Sequence, residues 1–175
     1  MATPTSLPAT FVAGNVLTAA QQNDLRGAFR ILQVVTATKT DSFTTNSLTY
    51  VDVTGVSLSI TPRETASRIF IIVSGVAIQT TSTEITKLNL VRGSTAIGQS
   101  TGSGTSNQTL TLYPNNVSGQ DAFCITFVDS PSTTSATTYK LQISNQTGGN
   151  SLIGRFGAND NFRSITTITA MEVSS

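Results

Sequence analysis

Few residues in this chain could carry out catalytic chemistry. The sequence has no histidine, although 31 of its residues are threonine and 21 are serine. Without histidine a Ser-His-Asp triad cannot form, and the commonest general base and metal ligand are missing. A Ser–Lys pair would need a desolvated lysine. Lys39, Lys87 and Lys140 lie in or beside alternating segments, which predicts that all three side chains face solvent.

The sequence also offers few residues for metal binding or for hydrolysis. The nine acidic residues occur singly and mostly near the ends of predicted strands, a pattern typical of solubilising charges and not of the paired carboxylates of glycosidases. Asp160 lies in a loop that matches no calcium-binding spacing. The only cysteine, Cys124, falls in an apolar run and is predicted to be a buried small hydrophobe. We expect no enzymatic activity, no metal site, no cofactor and no disulfide within the chain.

A glycan-binding surface would need an exposed aromatic ring, and the chain has no tryptophan. Tyr113 precedes Pro114 and is the one aromatic residue that we place near a loop; the phenylalanines are expected in the core. Residues 99–108 form the longest run of glycine, serine and threonine, which predicts an exposed loop. Gly102, Gly104 and Tyr113 are therefore the candidate residues for contact through an exposed loop.

Length and composition limit the class of protein. A chain of 175 residues corresponds to one domain, and its charged share of 11% is less than half the usual value of about 25%. Ten basic and nine acidic residues give a net charge of +1, which does not suit a nucleic-acid-binding protein. We find no apolar stretch long enough to span a membrane and no secretory signal at the start. We therefore expect a protein made in a cytoplasm, without membrane insertion.

Residues 1–30 are predicted to form an extended arm and one short helix. Pro4 and Pro8 disfavour helix near the start. Thr18 and Gln21 then match a capping box, and the helix should run to about Arg30. An apolar stripe on this helix needs a surface to pack on, because so short a helix is marginal alone. The candidate residues for anchoring the protein to a larger particle are Leu17, Leu25 and Phe29.

Residues 31–175 show the two-residue period of β-strands. They predict an all-β fold, an antiparallel β-sandwich or jelly roll. Ile69–Val73 is continuously apolar, which predicts a central strand covered on both faces. The predicted strands are 32–38, 47–53, 56–60, 68–79, 85–92, 109–113, 122–128, 137–145 and 165–173.

Several segments resemble small virion proteins of tailed bacteriophages. The first is Phe11–Asn23, which is similar to an opening phrase "F-x-A-G-x-V-L-T-A-A-Q-x-N" found in many of them. The second is a series of four short phrases in the same order as in that family: Leu32–Val35, Thr49–Gly55, Ile60–Pro62 and Ser67–Ile69. The third joins Phe127–Pro131 to Thr138–Gln142. This resemblance implies a surface module of the decoration or tail-fibre type, a trimeric jelly roll similar to viral knobs.

Two functions follow from this resemblance as expectations. The first is a homotrimeric capsid decoration protein, a cement or knob protein, anchored by residues 1–30 to the major capsid protein or another virion protein. The second is a short tail fibre or tail-tip protein whose head contacts a receptor on the host surface. The first fits the absence of any shaft repeat between the helix and the predicted sandwich. Both place the protein at the virion surface.

Overall fold

The computed structural model describes residues 14, 16, 18–19, 21–22, 31–79, 84–102, 107–113, 120–156 and 159–174. These residues form thirteen β-strands. The strands are β1 (Ile31–Lys39), β2 (Phe43–Thr45), β3 (Val51–Ile60), β4 (Arg68–Gln79), β5 (Thr86–Arg92), β6 (Thr95–Ile97), β7 (Leu110–Leu112), β8 (Gln120–Asp129), β9 (Thr137–Asn145), β10 (Ser151–Ile153), β11 (Arg155–Phe156), β12 (Asn159–Arg163) and β13 (Thr166–Val173).

Two antiparallel sheets hold most of these strands. The first sheet has the order β1-β13-β4-β8, and β10 and β2 extend it beyond the end of β13. The second sheet has the order β3-β9-β5, with β6 and β7 sharing the free side of β5. β11 and β12 form a separate two-stranded ribbon. A single buried cluster includes residues of both sheets, so the sheets pack face to face as a β-sandwich.

The order of strand pairing defines the fold as a jelly roll. β5 pairs with β7, β4 with β8, β3 with β9, and β1 with β13. Each pair encloses the previous one along the chain, as it would in one long hairpin. The innermost pair, β5 with β7, and the third pair, β3 with β9, belong to the second sheet. The pairs β4 with β8 and β1 with β13 belong to the first sheet. A long hairpin wrapped between two sheets in this way is the jelly-roll arrangement. The all-β prediction and the predicted sandwich are confirmed.

Side-chain alternation builds the core between the sheets. In β3, Val56, Leu58 and Ile60 are buried and the serines between them are exposed. In β9, Tyr139 and Leu141 are buried in the same alternating pattern. These positions alternate because successive side chains of a strand point to opposite faces of the sheet.

β4 is central, as its apolar sequence predicts, but only one of its faces is fully buried. Ile69, Ile71 and Val73 are completely buried in the core. Phe70 and Ile72 point to the outer face of the first sheet, where they keep part of their surface exposed. Among the described residues only the inner face of β4 is fully buried, so the expectation that both faces are covered stays a prediction.

β3 explains why the sequence predicts two strands where the structure has one. Asp52 pairs with Gln142 and Ser57 pairs with Lys140, so the ladder shifts register between the two pairs. Gly55 lies in this irregularity with φ of +86°, a left-handed conformation that glycine adopts readily. The local break interrupts the alternation without ending the strand.

The predicted start of the N-terminal helix agrees with the residues described there. The Gln21 amide donates to the Thr18 hydroxyl at 3.2 Å, and the Thr18 amide donates to Gln21 Oε1 at 2.9 Å. These are the two reciprocal bonds of a capping box. Ala19, Gln21 and Gln22 are helical. The rest of the predicted helix lies outside the described residues, and the proposed division at residues 30 and 31 stays a prediction.

Candidate functional site

The predicted exposed loop interrupts one edge strand of the second sheet. β6 pairs with Leu90–Arg92 of β5, and β7 continues along the same edge by pairing with Thr86–Leu88. Residues 98–102 leave this edge after β6, and residues 107–109 return to it before β7. The described ends of the loop therefore lie at the edge of the second sheet, at the middle of β5.

A set of side-chain hydrogen bonds closes the base of this loop. Gln99 Nε2 donates to Asn89 Oδ1 at 3.2 Å and to the Asn107 carbonyl at 2.8 Å. The Thr109 amide donates to Asn89 Oδ1 at 3.1 Å, and its hydroxyl donates to the Ile97 carbonyl at 3.0 Å. Asn89 is itself buried in β5. The sheet thus fixes both described ends of the loop, which form a rigid base.

Gly98 is the first residue of the loop, and its backbone lies close to Phe127 of the first sheet. Its φ is +63°, and an added Cβ would lie 2.9 Å from Cδ2 of the Phe127 ring. A side chain at this position would strain the backbone and would also collide with the ring. Glycine is therefore needed where the chain leaves β6.

The structure places the exposed-loop candidates at two separate points. Gly102 is exposed in the loop, and Gly104 lies outside the described residues. Tyr113 follows β7 and is 64% exposed. Tyr113 lies four residue steps along extended chain from Thr109, or about 13 Å at the usual rise per residue of a strand. Tyr113 can present its ring to a partner, but it lies beyond the base of the loop.

A buried ion pair with a tyrosine hydrogen bond joins the two sheets, and sequence reasoning missed it. Asp129, at the end of β8, is 6% exposed. Arg92 Nη1 donates to both of its carboxylate oxygens, at 2.9 and 3.0 Å, and the Tyr139 hydroxyl donates to Oδ2 at 2.6 Å. Arg92 and Tyr139 are paired neighbours in the second sheet. We call these three residues the Asp129 network.

The environment of the Asp129 network suits a structural role. Burial, and then the neighbouring Asp129 carboxylate, raise the pKa of Tyr139 well above its ordinary value. The tyrosine therefore stays protonated and acts as a hydrogen-bond donor. Its ring is fully buried in the core, so its hydroxyl has no access to a substrate from solvent. This arrangement joins the two sheets through buried hydrogen bonds.

Three expectations about single residues are wrong. Cys124 is exposed because its neighbours Phe123 and Ile125 occupy the inward positions of β8. Lys39 is buried, and its Nζ lies 2.7 Å from Asp41 Oδ1. Phe162 is 63% exposed, so not every phenylalanine belongs to the core. In each case the position within the strand decides the environment, and residue type alone does not.

The acidic residues are also not all solubilising charges. Glu172 is fully buried in β13. Its Oε1 accepts a hydrogen bond from the Arg63 amide at 2.7 Å, and its Oε2 accepts one from Gln33 Nε2 at 2.5 Å. These donors connect the carboxylate to β1 and to the turn after β3. Glu172 therefore has a structural role that sequence reasoning did not assign.

The described residues contain no group of three cysteine, aspartate and glutamate side chains that could hold a metal ion. In the same ranges no helix is long and apolar enough to cross a membrane. The candidate anchoring residues Leu17, Leu25 and Phe29 all lie outside the described residues, so their proposed role stays a prediction.

Comparison with known proteins adds one distant likeness. No protein-family model matches the chain, and no curated protein sequence matches it significantly. Fourteen chains of solved structures match. One belongs to the structure of infectious bursal disease virus, Gx strain, with 15% sequence identity and a TM-score of 0.38 over 82% of this chain. This chain spans 37% of the length of that one. A TM-score this low supports no argument, so the fold rests on the strand pairing.

Proposed function

We propose that this protein is a structural component of a tailed-phage virion, a homotrimeric decoration protein on the capsid exterior. The observation that carries the proposal is the resemblance of Phe11–Asn23 to the opening phrase of small phage virion proteins. The capping-box bonds between Thr18 and Gln21 lie inside that phrase. They support the idea that the phrase specifies a particular local structure.

The fold and the composition are compatible with this role. Jelly rolls occur in viral capsids, although they also occur in lectins, so the fold alone does not fix the function. With 52 serine and threonine residues and few charges, the chain can stay soluble through hydroxyl groups. In this proposal residues 1–30 attach the head to the major capsid protein or another virion protein, and the chain has no catalytic role.

The attachment step can be tested with particles that lack this protein. Purified full-length protein should co-sediment with them. Protein without residues 1–30, and the double variant Leu25→Asp with Phe29→Asp, should stay folded but remain in the supernatant. Leu48→Asp is the matched control, because Leu48 is an aliphatic residue on the head that is 61% exposed. Particle binding by the truncated protein would refute attachment through residues 1–30.

A tail-fibre or tail-tip role is the second candidate, and the side loop favours it. A loop held on a rigid base is a common arrangement for a binding surface. The two roles differ in copy number, which gel densitometry against the major capsid protein measures. A decoration protein should approach the abundance of the capsid protein, whereas a tail protein should be far rarer. Binding of the isolated protein to host cells, lost in Tyr113→Ala, would support the tail role.

A further inference from the structure

The outer face of the first sheet carries an apolar row across all four of its long strands. Strand register places Val34 of β1 beside Met171 of β13, Met171 beside Phe70 of β4, and Phe70 beside Val128 of β8. Val34 is 56% exposed and Val128 is 50% exposed. Burying this row would remove apolar surface from water, at about 25 cal/mol per Å².

On one side the apolar row is bounded by the exposed Arg68 of β4, beside Val173 of β13. On the other side, the next two rows along the strands contain no charge. One joins Thr36, Thr169, Ile72 and Thr126, and the other joins Thr38, Thr167, Ser74 and Cys124. Two hydroxyl pairs in these rows satisfy each other, Thr36 with Thr169 at 3.1 Å and Ser74 with Thr167 at 3.0 Å. Because these hydroxyls already have partners, covering them leaves fewer polar groups unsatisfied. We call the three rows the uncharged face.

The outer face of the second sheet provides the contrast within the same molecule. There Lys140 Nζ lies 2.7 Å from Asp52 Oδ2, and Gln142 Nε2 donates to Asp52 Oδ1 at 2.7 Å. Lys87 also occupies an outward position, because its neighbour Leu88 is in the core. That face has the charged, hydrogen-bonded character of a solvated surface. Depletion of charge with enrichment in phenylalanine and methionine marks the centre of a protein interface.

We propose that three copies of this chain associate with their uncharged faces turned toward a common threefold axis. The proposal deepens the homotrimer of the proposed function, on which it rests for the number of copies. An uncharged face suits contact with copies of itself, because symmetry brings identical faces together and like charges would repel.

The width of the sheet fits three copies. Four strands at about 4.8 Å each form a face about 19 Å wide. Three such faces arranged as a triangular prism lie about 5.5 Å from the central axis, close to half the ~10 Å separation of packed sheets. Side chains of the central strands, Phe70 and Met171, would then meet at the axis. The margins of adjacent copies would also meet, bringing Val34 of one copy near Val128 of the next.

The width of the face disfavours a single helix as its cover. The three rows extend about 13 Å along the strands, from Phe70 to Ser74, and about 19 Å across them. A helix lying along the strands is about 10–12 Å wide with its side chains, so it would cover only about half of that width. The twelve residues of the three rows are about half of the 20–30 that a standard interface uses on each side, so they would supply its core.

The first experiment measures the mass of the protein in solution. By sedimentation equilibrium at micromolar concentration, the wild type should have three times the chain mass of 18.3 kDa. Val34→Glu with Val128→Glu should reduce this mass to that of one chain and keep the β-sheet circular dichroism. Leu48→Glu, at an equally exposed position outside the uncharged face, should remain trimeric. A wild-type monomer, or a trimer that tolerates both glutamates, would overturn the proposal.

The second experiment tests the geometry. In a Cys124→Ser background, Val34→Cys with Val128→Cys should form disulfides between copies and give a trimer band on non-reducing gels. Within one chain these positions lie three strand spacings apart, about 14 Å, which is too far for a disulfide. Each single cysteine variant should stay uncrosslinked. Cross-linking by a single variant would mean a twofold interface and would refute the threefold arrangement.

Cys124 is a natural reporter of what covers the uncharged face. Its reaction with a thiol reagent should be slow in the trimer and should accelerate on dilution or in Val34→Glu with Val128→Glu. Protection that does not depend on concentration but disappears on deletion of residues 1–30 would show that the N-terminal segment covers the face, contrary to the proposal. Failure of particle binding with an intact trimer would contradict only the proposed function.

Discussion

Replacing Tyr139 by phenylalanine removes one hydrogen bond from the Asp129 network and leaves the core volume unchanged. The bond joins a fully buried hydroxyl to a carboxylate that is 6% exposed, at 2.6 Å. A hydrogen bond to a charged group contributes about 1.5–3 kcal/mol to stability. Asp129 keeps its two bonds from Arg92, so we expect Tyr139→Phe to lower the free energy of unfolding by about this amount.

Asp129→Ala should cost more, about 3–5 kcal/mol, because it removes one partner of a buried ion pair and leaves the Tyr139 hydroxyl without its acceptor. The Arg92 side chain is 32% exposed, so solvent can compensate part of its loss and the lower end of the range is expected. The double variant should be hardly less stable than Asp129→Ala, because the bond that Tyr139→Phe removes no longer exists there.

Urea unfolding followed by far-ultraviolet circular dichroism measures all three variants, at one fixed chain concentration because association would shift the midpoint. At about 2–4 °C per kcal/mol for a chain of this size, Tyr139→Phe should lower the melting temperature by roughly 3–12 °C. Additive losses in the double variant, or a loss below about 0.5 kcal/mol in Tyr139→Phe, would show that the network does not join the sheets as argued.

The raised pKa of Tyr139 predicts how the stability of the protein changes at high pH. Its pKa is raised in the folded protein, so its contribution to stability is complete below the unfolded value of about 10 and declines as the pH rises above it. Wild-type stability should therefore fall above about pH 10, and Tyr139→Phe should show a smaller slope there. An identical slope in both proteins would contradict this assignment.

Three further predictions concern the core and the surface. Ile71→Asp should prevent folding, since an unpaired charge in a fully buried position costs several kcal/mol; soluble protein with native circular dichroism would contradict this. Gly75→Ala should destabilise by about 1–3 kcal/mol, because its Cβ would lie 2.7 Å from Thr166 Oγ1, and adding Thr166→Ala should restore most of the melting temperature. Lys140 lowers the pKa of Asp52, so stability should fall as the pH drops below about 4, and Lys140→Met should reduce that acid-induced loss.

Strand positions could be predicted because long strands carry many alternating residues. The bounds of β4 and β9 agree with the predicted ranges, and most other long strands agree within one or two residues. The short strands β2, β6 and β10 were missed, since three residues are too few to show a period. Their pairing depends on neighbouring strands that are distant in the chain. β11 and β12 were missed as well, so Asp160 lies in a strand and not in the predicted loop.

The candidate site, too, depends on contacts between residues that are distant in the chain. Glycine and serine content located the side loop, but its base depends on bonds between Asn89 and Thr109, which are 20 residues apart. The Asp129 network joins β5, β8 and β9. Two of its members, Asp129 and Tyr139, lie inside phrases that carry the resemblance, but nothing in those phrases predicts that their side chains meet. Hydrogen bonds of this kind come from the topology, which sequence patterns near each residue do not contain.

The uncharged face could be detected in the sequence but could not be interpreted there. The apolar run Ile69–Val73 indicates that side chains on both faces of β4 avoid water. In the structure, the described residues fully bury only the inner face. Neighbouring outward positions, such as Val34 and Val128, come from strands far apart in the sequence, so the apolar row exists only after β1, β13, β4 and β8 have paired. A strand that is apolar on both sides at the centre of a sheet therefore argues for a cover on the outer side. In this molecule the width and the lack of charge of the uncharged face favour other copies of the chain as the cover.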